Sequence, residues 1–176
     1  MLTLAEIVLR HELAHAYMAH CLGVVGEGVK VLVNGASVNG VAAAAPPYSL
    51  FELCTDDHIN ALVSLAGPLY SRHIGCAPGK DGGAMDYAMA EVSLRRLRPK
   101  GRAVTVEQAE AQCRALLLPH GGIVIEAIAS SYLPAGTACC NISISGGVLA
   151  GLFQRHESKL PICNEPAAPR GPSLFD

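Results

Sequence analysis

The chain has 176 residues, 51% of them apolar and only 5% aromatic, with no Trp. That length suits one compact domain with a core built mainly from Ala, Leu, Val and Ile. A formal net charge of −2 and a single short basic run, "LRRLRPKGR" at 94–102, offer no stripe for nucleic acid.

The first predicted element is a helix over residues 2–22, where Leu4, Ile7, Val8, Ala14 and Met18 recur at helical spacing and Gly23 stops it. Its charges, Glu6, Arg10, His11 and Glu12, argue against a signal peptide or a membrane span. Next comes a hairpin. Val29, Val31 and Val33 alternate, Asn34-Gly35 is a turn signal, and residues 36–44 form the return strand before "APPY". A second long helix starts at Thr55 or Asp56 and runs to Gly75. The Gly- and Pro-containing loop "CAPGKDGG" leads into a third helix, "AMDYAMAEVSLRRL", ending at Pro99. Thr105 and Gln108 have capping-box spacing and open a fourth helix through Leu118. "GGIVIEAIASSYL" reads as a fifth, stopped by Pro134-Ala135-Gly136, and a short last helix spans about 146–157. Residues 158–176 hold four of the 11 prolines and read as a loosely held tail outside a domain of residues 1–157. No internal repeat is visible, and no later run reaches the length of a spanning helix.

Seven cysteines is an odd number, and none has C-x-x-C spacing. With no secretory signal, a cytoplasmic chain with reduced thiols is expected. Cys54, Cys139 and Cys140 stay open as metal ligands, without a spacing that supports the role.

The chemistry sits in "HELAH", residues 11–15. Positions i and i+4 lie about 40° apart around a helix. His11 and His15 thus present two imidazoles to one point, at a spacing that suits zinc. Glu12 is placed as a general base for a zinc-activated water, whose pKa the metal lowers to about 7. The alternative is two surface histidines on an amphipathic helix. Leu9, Leu13, Ala14 and Ala16 weigh against it, because His and Glu among apolar neighbours must be paired or metal-bound.

Three residues compete to be the third ligand. Cys21 stands where a metzincin has its third histidine, but Met18 replaces the glycine that turns such a chain back. Glu52, in "ELCTD", has the E-x-x-x-D form of gluzincins but precedes the expected helix. Asp86 opens a helix behind a Gly-rich loop, where the helix dipole alone would also favour an acid. Spacing leaves Asp86 and Glu52 nearly tied.

"HELAHAYMAHCLG", a hairpin, "LVSLAGPLYSRHIG" and "GGAMDYAMAEVSLRRL" together resemble the peptidase domain of FtsH-type AAA proteases. The likeness extends over most of residues 5–157. It implies an α+β, mainly helical, zincin-like domain, with a helical bundle and a small hairpin sheet beside the HExxH helix. It implies zinc held by His11, His15 and Asp86, with Glu12 as catalytic base. Ala14 replaces the family's glycine, and "AGPLYSRHIG" lacks its usual acidic residue. No G-x-x-x-x-G-K-[ST] ATPase motif occurs. A stand-alone, ATP-independent metallopeptidase is therefore implied, acting on peptides or unfolded segments; self-association stays open. The return strand, Ala36 to Ala44, is a candidate edge for a substrate strand, the alternative being a covered core strand. Two rivals remain: a zinc-containing regulatory or binding module with little turnover, and hydrolysis of a non-peptide amide. Glu12 favours an enzyme, since a purely structural site has no use for it.

Overall fold

The structure, a computed structural model, describes residues 2–24, 26–34, 37–43, 56–76, 83–101 and 103–160. The fold is α+β and mainly helical. Among the described residues there are five α-helices and one three-stranded antiparallel sheet.

Helix α1 (Leu4–Cys21) starts at a capping box. The Thr3 hydroxyl accepts from the Glu6 amide at 3.3 Å, and the Glu6 carboxylate accepts from the Thr3 amide at 2.7 Å. Two orphan amides of the first turn are thereby satisfied. Almost every side of α1 is buried, so it is a central core helix. Helix α2 (Asp57–His73) packs along it, capped by Asp56. Thr55, the other candidate start, lies outside the described residues. Helix α3 (Ala84–Leu97) lies on α2 and ends at the expected Pro99, through a 3-10 turn, Arg98–Lys100.

The predicted fourth and fifth helices are one. Helix α4 (Val106–Tyr132) begins at the expected Thr105–Gln108 box and continues through Pro119, Gly121 and Gly122. Pro119 removes one backbone donor. The buried stripe Ala109, Cys113, Leu117, Gly121, Val124 and Ile128 crosses it unbroken, and packing outweighs the lost bond. Gly121 is a close-approach position: a Cβ there would lie 2.7 Å from the Tyr17 ring. The merged helix also corrects the expectation that no run is long enough to span a membrane. By length and composition α4 is, although its stripe packs here on α1 and α2.

Strands β1 (Gly28–Asn34) and β2 (Ser37–Ala43) form the expected hairpin, with Val29 opposite Ala42 and Val31 opposite Gly40. Gly35, of its turn, lies outside the described residues. A third strand, β3 (Cys140–Ser145), was not expected and pairs with the other side of β1. Ile142 and Ile144 point inward beside Val29, Val31 and Val33. Among the described residues β2 and β3 are therefore the outer strands, and α1 packs against both β1 and β2. Helix α5 (Gly146–Glu157) closes the domain. At the junction, a side chain on Gly28 (φ +140) would run into the Ile144 carbonyl. Of the predicted tail, residues 161–176 lie outside the described residues.

Candidate metal centre

His11 and His15 lie one turn apart on α1, each only 4% exposed. Their Nε2 atoms are 3.0 Å apart, with the rings edge to face. Asp86, in the first turn of α3, reaches them from the opposite side. Its Oδ2 is 3.0 Å from His11 Nε2 and 3.6 Å from His15 Nε2. A tetrahedral zinc with bonds near 2.0–2.1 Å would separate its ligand atoms by about 3.3 Å, the scale of all three distances.

The far side of each ring is tied down. His15 Nδ1 lies 2.7 Å from the Val63 carbonyl, which only accepts, so Nδ1 carries the hydrogen and Nε2 faces the site. Ser71 Oγ lies 3.1 Å from His11 Nδ1. A ligand role for His11 Nε2 requires the same tautomer, with Nδ1–H donating to the Ser71 oxygen. Such bonds set ring orientation in metal sites. Ser71 is fully buried, on the helix where the resemblance would place an acidic residue.

A helical glycine keeps room beside the two nitrogens. A Cβ on Gly67 would stand 2.6 Å from His11 Nε2 and closer still to His15 Nε2. Three donor atoms thus converge on a cradle that any side chain at position 67 would fill. The set, two imidazoles and one carboxylate, is borderline in softness and suits zinc.

The electrostatics favour a cation. Burial opposes charge on His15, but the hydrogen bond and charge of Asp86, the charge of Glu12 and the Val63 carbonyl together raise its pKa to about 9. Burial also opposes charge on Asp86, yet the two histidines hold its carboxyl well below the usual range. Glu12 is buried beside them on the same turn of α1.

Of the competing ligands among the described residues, Asp86 and Cys21, the structure brings Asp86 to the histidines. Cys21 is exposed at the C-terminal end of α1, against Tyr17 and Glu157. Glu52 and Cys54 lie outside the described residues. Cys139 and Cys140 stand at the start of β3, and among the described residues the one metal-capable group is His11, His15 and Asp86. No described cysteine is in a disulfide. Sequence reasoning missed Val63, Gly67 and Ser71. Their spacing of four residues along α2 marks one helix face, a signal that acquires meaning only once that face is known to meet α1.

No protein-family model matches the chain, and comparison with curated proteins finds no match.

Proposed function

We propose that this chain is a zinc-dependent metallopeptidase of zincin type, resembling the FtsH-type peptidase domain without its ATPase. One observation carries the proposal: Asp86 converges on the two imidazoles of an HExxH helix that also bears a buried Glu12. His11, His15 and Asp86 would hold the metal. Zinc bound there would polarise a scissile carbonyl and make a water nucleophilic near neutral pH. Glu12 accepts the proton that water gives up and passes it to the departing amine. Ser71 and Val63 keep the imidazoles aimed, and Gly67 keeps the space clear.

The outer position of β2 in the sheet among the described residues, alongside α1, supports an extended peptide as substrate, because a strand edge can offer backbone donors and acceptors to an added strand. Peptides and already unfolded segments fit such an edge, in a reducing, cytoplasmic setting. The test is digestion of an unfolded protein such as casein, with and without a chelator, alongside metal analysis. Cleavage that stops with chelator and returns with zinc is expected. About one zinc per chain without cleavage of casein or peptides would favour the regulatory module, and cleavage of simple amides alone the non-peptide hydrolase.

A further inference from the structure

We infer that α4 braces the metal-bearing helices, and that Glu110 and Glu126 are its positioning residues. This rests on the metal role proposed for His11, His15 and Asp86. Each glutamate gathers one arginine and one tyrosine, and each of those four donors is a chain neighbour of a residue at the site.

Glu126 takes Arg10 and Tyr70. Arg10 Nε and Nη2 donate to its carboxylate at 2.8–3.0 Å, and the Tyr70 hydroxyl donates at 3.0 Å. Arg10 precedes His11, and Tyr70 precedes Ser71. Glu110, about 24 Å back along α4 at 1.5 Å per residue, takes Arg72 and Tyr87. Arg72 Nη2 donates at 2.8 Å, and the Tyr87 hydroxyl donates to the same oxygen. The Arg72 guanidinium also stacks 5.3 Å from the centre of the Tyr87 ring. Arg72 follows Ser71, and Tyr87 follows Asp86. So α1, α2 and α3, which carry the whole site, are all tied to one helix that contributes nothing to it directly.

Exposed ion pairs contribute little, and both glutamates are partly exposed, but the cation at Glu126 is buried. The Arg10 side chain is 8% exposed and bound in a fork, so losing Glu126 strands a buried cation. The Glu110 tie matters for a different reason. Helix α3 starts at Gly83 with no side-chain cap, and it touches α4 only lightly. The Tyr87 ring, next to Asp86 and held by Arg72 and Glu110, ties that first turn to α4. Metal–ligand distances tolerate about 0.2 Å, and a small rotation of α3 exceeds that.

The experiment compares Glu110→Gln, Glu126→Gln and Tyr87→Phe with Leu149→Ala, a core truncation in α5 that touches neither glutamate tie. Two quantities are read: titration with Co2+, followed by its visible spectrum, and backbone hydrogen exchange in the metal-free protein. Glu110→Gln should weaken Co2+ binding about tenfold, the lower end for outer-shell changes. It should alter the spectrum and speed exchange in the first turns of α3, with β1 unchanged. Glu126→Gln should weaken Co2+ through α1 and leave α3 exchange as it was. Tyr87→Phe, which keeps the ring against Arg72, should fall between Glu110→Gln and wild type. Leu149→Ala should lower the melting temperature without changing Co2+ affinity. Wild-type affinity and exchange in both glutamate variants would overturn the brace, as would equal loss of affinity in Leu149→Ala. If the wild type binds neither Co2+ nor zinc, the metal role fails by itself. Exchange then decides: acceleration confined to α3 in Glu110→Gln upholds the brace, and unchanged or uniform acceleration overturns it.

Discussion

Gly67 of α2 faces His15 of α1 so closely that one methyl group on the glycine would press on the imidazole Nε2. The ring cannot swing aside cheaply. Its Nδ1–H is bound to the Val63 carbonyl, one turn earlier on the same helix that carries Gly67. The two helices therefore fix both the ring and the gap in front of it.

Gly67→Ala should for that reason cost metal before it costs fold. Alanine is a better helix former than glycine, so α2 itself loses nothing. Zinc affinity should fall by at least about tenfold, the scale of outer-shell perturbations. Zinc titration with circular dichroism of the same samples checks it. Wild-type zinc affinity in a folded Gly67→Ala protein would show that the cradle is not where the metal sits.

Asp86→Asn tests the third ligand. An anionic oxygen becomes a neutral amide, and zinc binding should weaken strongly. Cys21→Ser should leave metal content unchanged, because Cys21 is exposed at the C-terminal end of α1. Glu52→Gln should do the same. Full zinc and activity in Asp86→Asn, with both lost in Glu52→Gln, would move the protein to a gluzincin-like arrangement.

The parts of this site legible in the sequence are those carried by one element at a time. His11, Glu12 and His15 share a helix, so four-residue spacing is enough. Asp86 was visible as a candidate because a glycine-rich loop opens its helix, though spacing left it nearly tied with Glu52. Ser71 was invisible as a partner. A serine inside a helix has many uses, and only the docking of α2 on α1 puts its oxygen at His11. The errors were physical as well. Pro119, Gly121 and Gly122 look like breakers, but Gly121 is where Tyr17 packs, and the buried face runs through. Strand β3 had its alternation in Ile142 and Ile144, but a six-residue strand shows its identity only through the partner it finds in β1.

Glu12→Gln separates binding from catalysis. Shape and metal ligands are retained, so zinc content should stay near one per chain. The carboxylate that accepts the proton is gone, and peptidase activity should fall by at least about 10²-fold. Near-normal turnover would place the base elsewhere.

At the N-terminal end of α1, stability depends on pH through Glu6. Glu6 is buried and its pKa is lowered, first by its hydrogen bond from the Thr3 amide and further by the Thr3 hydroxyl, the Gly136 amide and Arg10, against the opposing effect of burial. A carboxyl whose folded pKa lies below its unfolded value binds its proton more readily when unfolded. Its contribution is therefore present above the ordinary value of 4.5 and is lost as pH falls through the lower folded value. Glu6→Gln keeps a capping acceptor but removes the charge. At pH 7 the variant should be less stable by roughly 1 kcal/mol, the scale of a charge at a helix N-terminus. The gap should narrow as pH drops below 4.5. Urea unfolding of both proteins from about pH 7 to pH 3, across the ordinary carboxyl range, reads it directly. A gap that stays constant over that range would mean that the ionised carboxylate of Glu6 does not hold the start of α1.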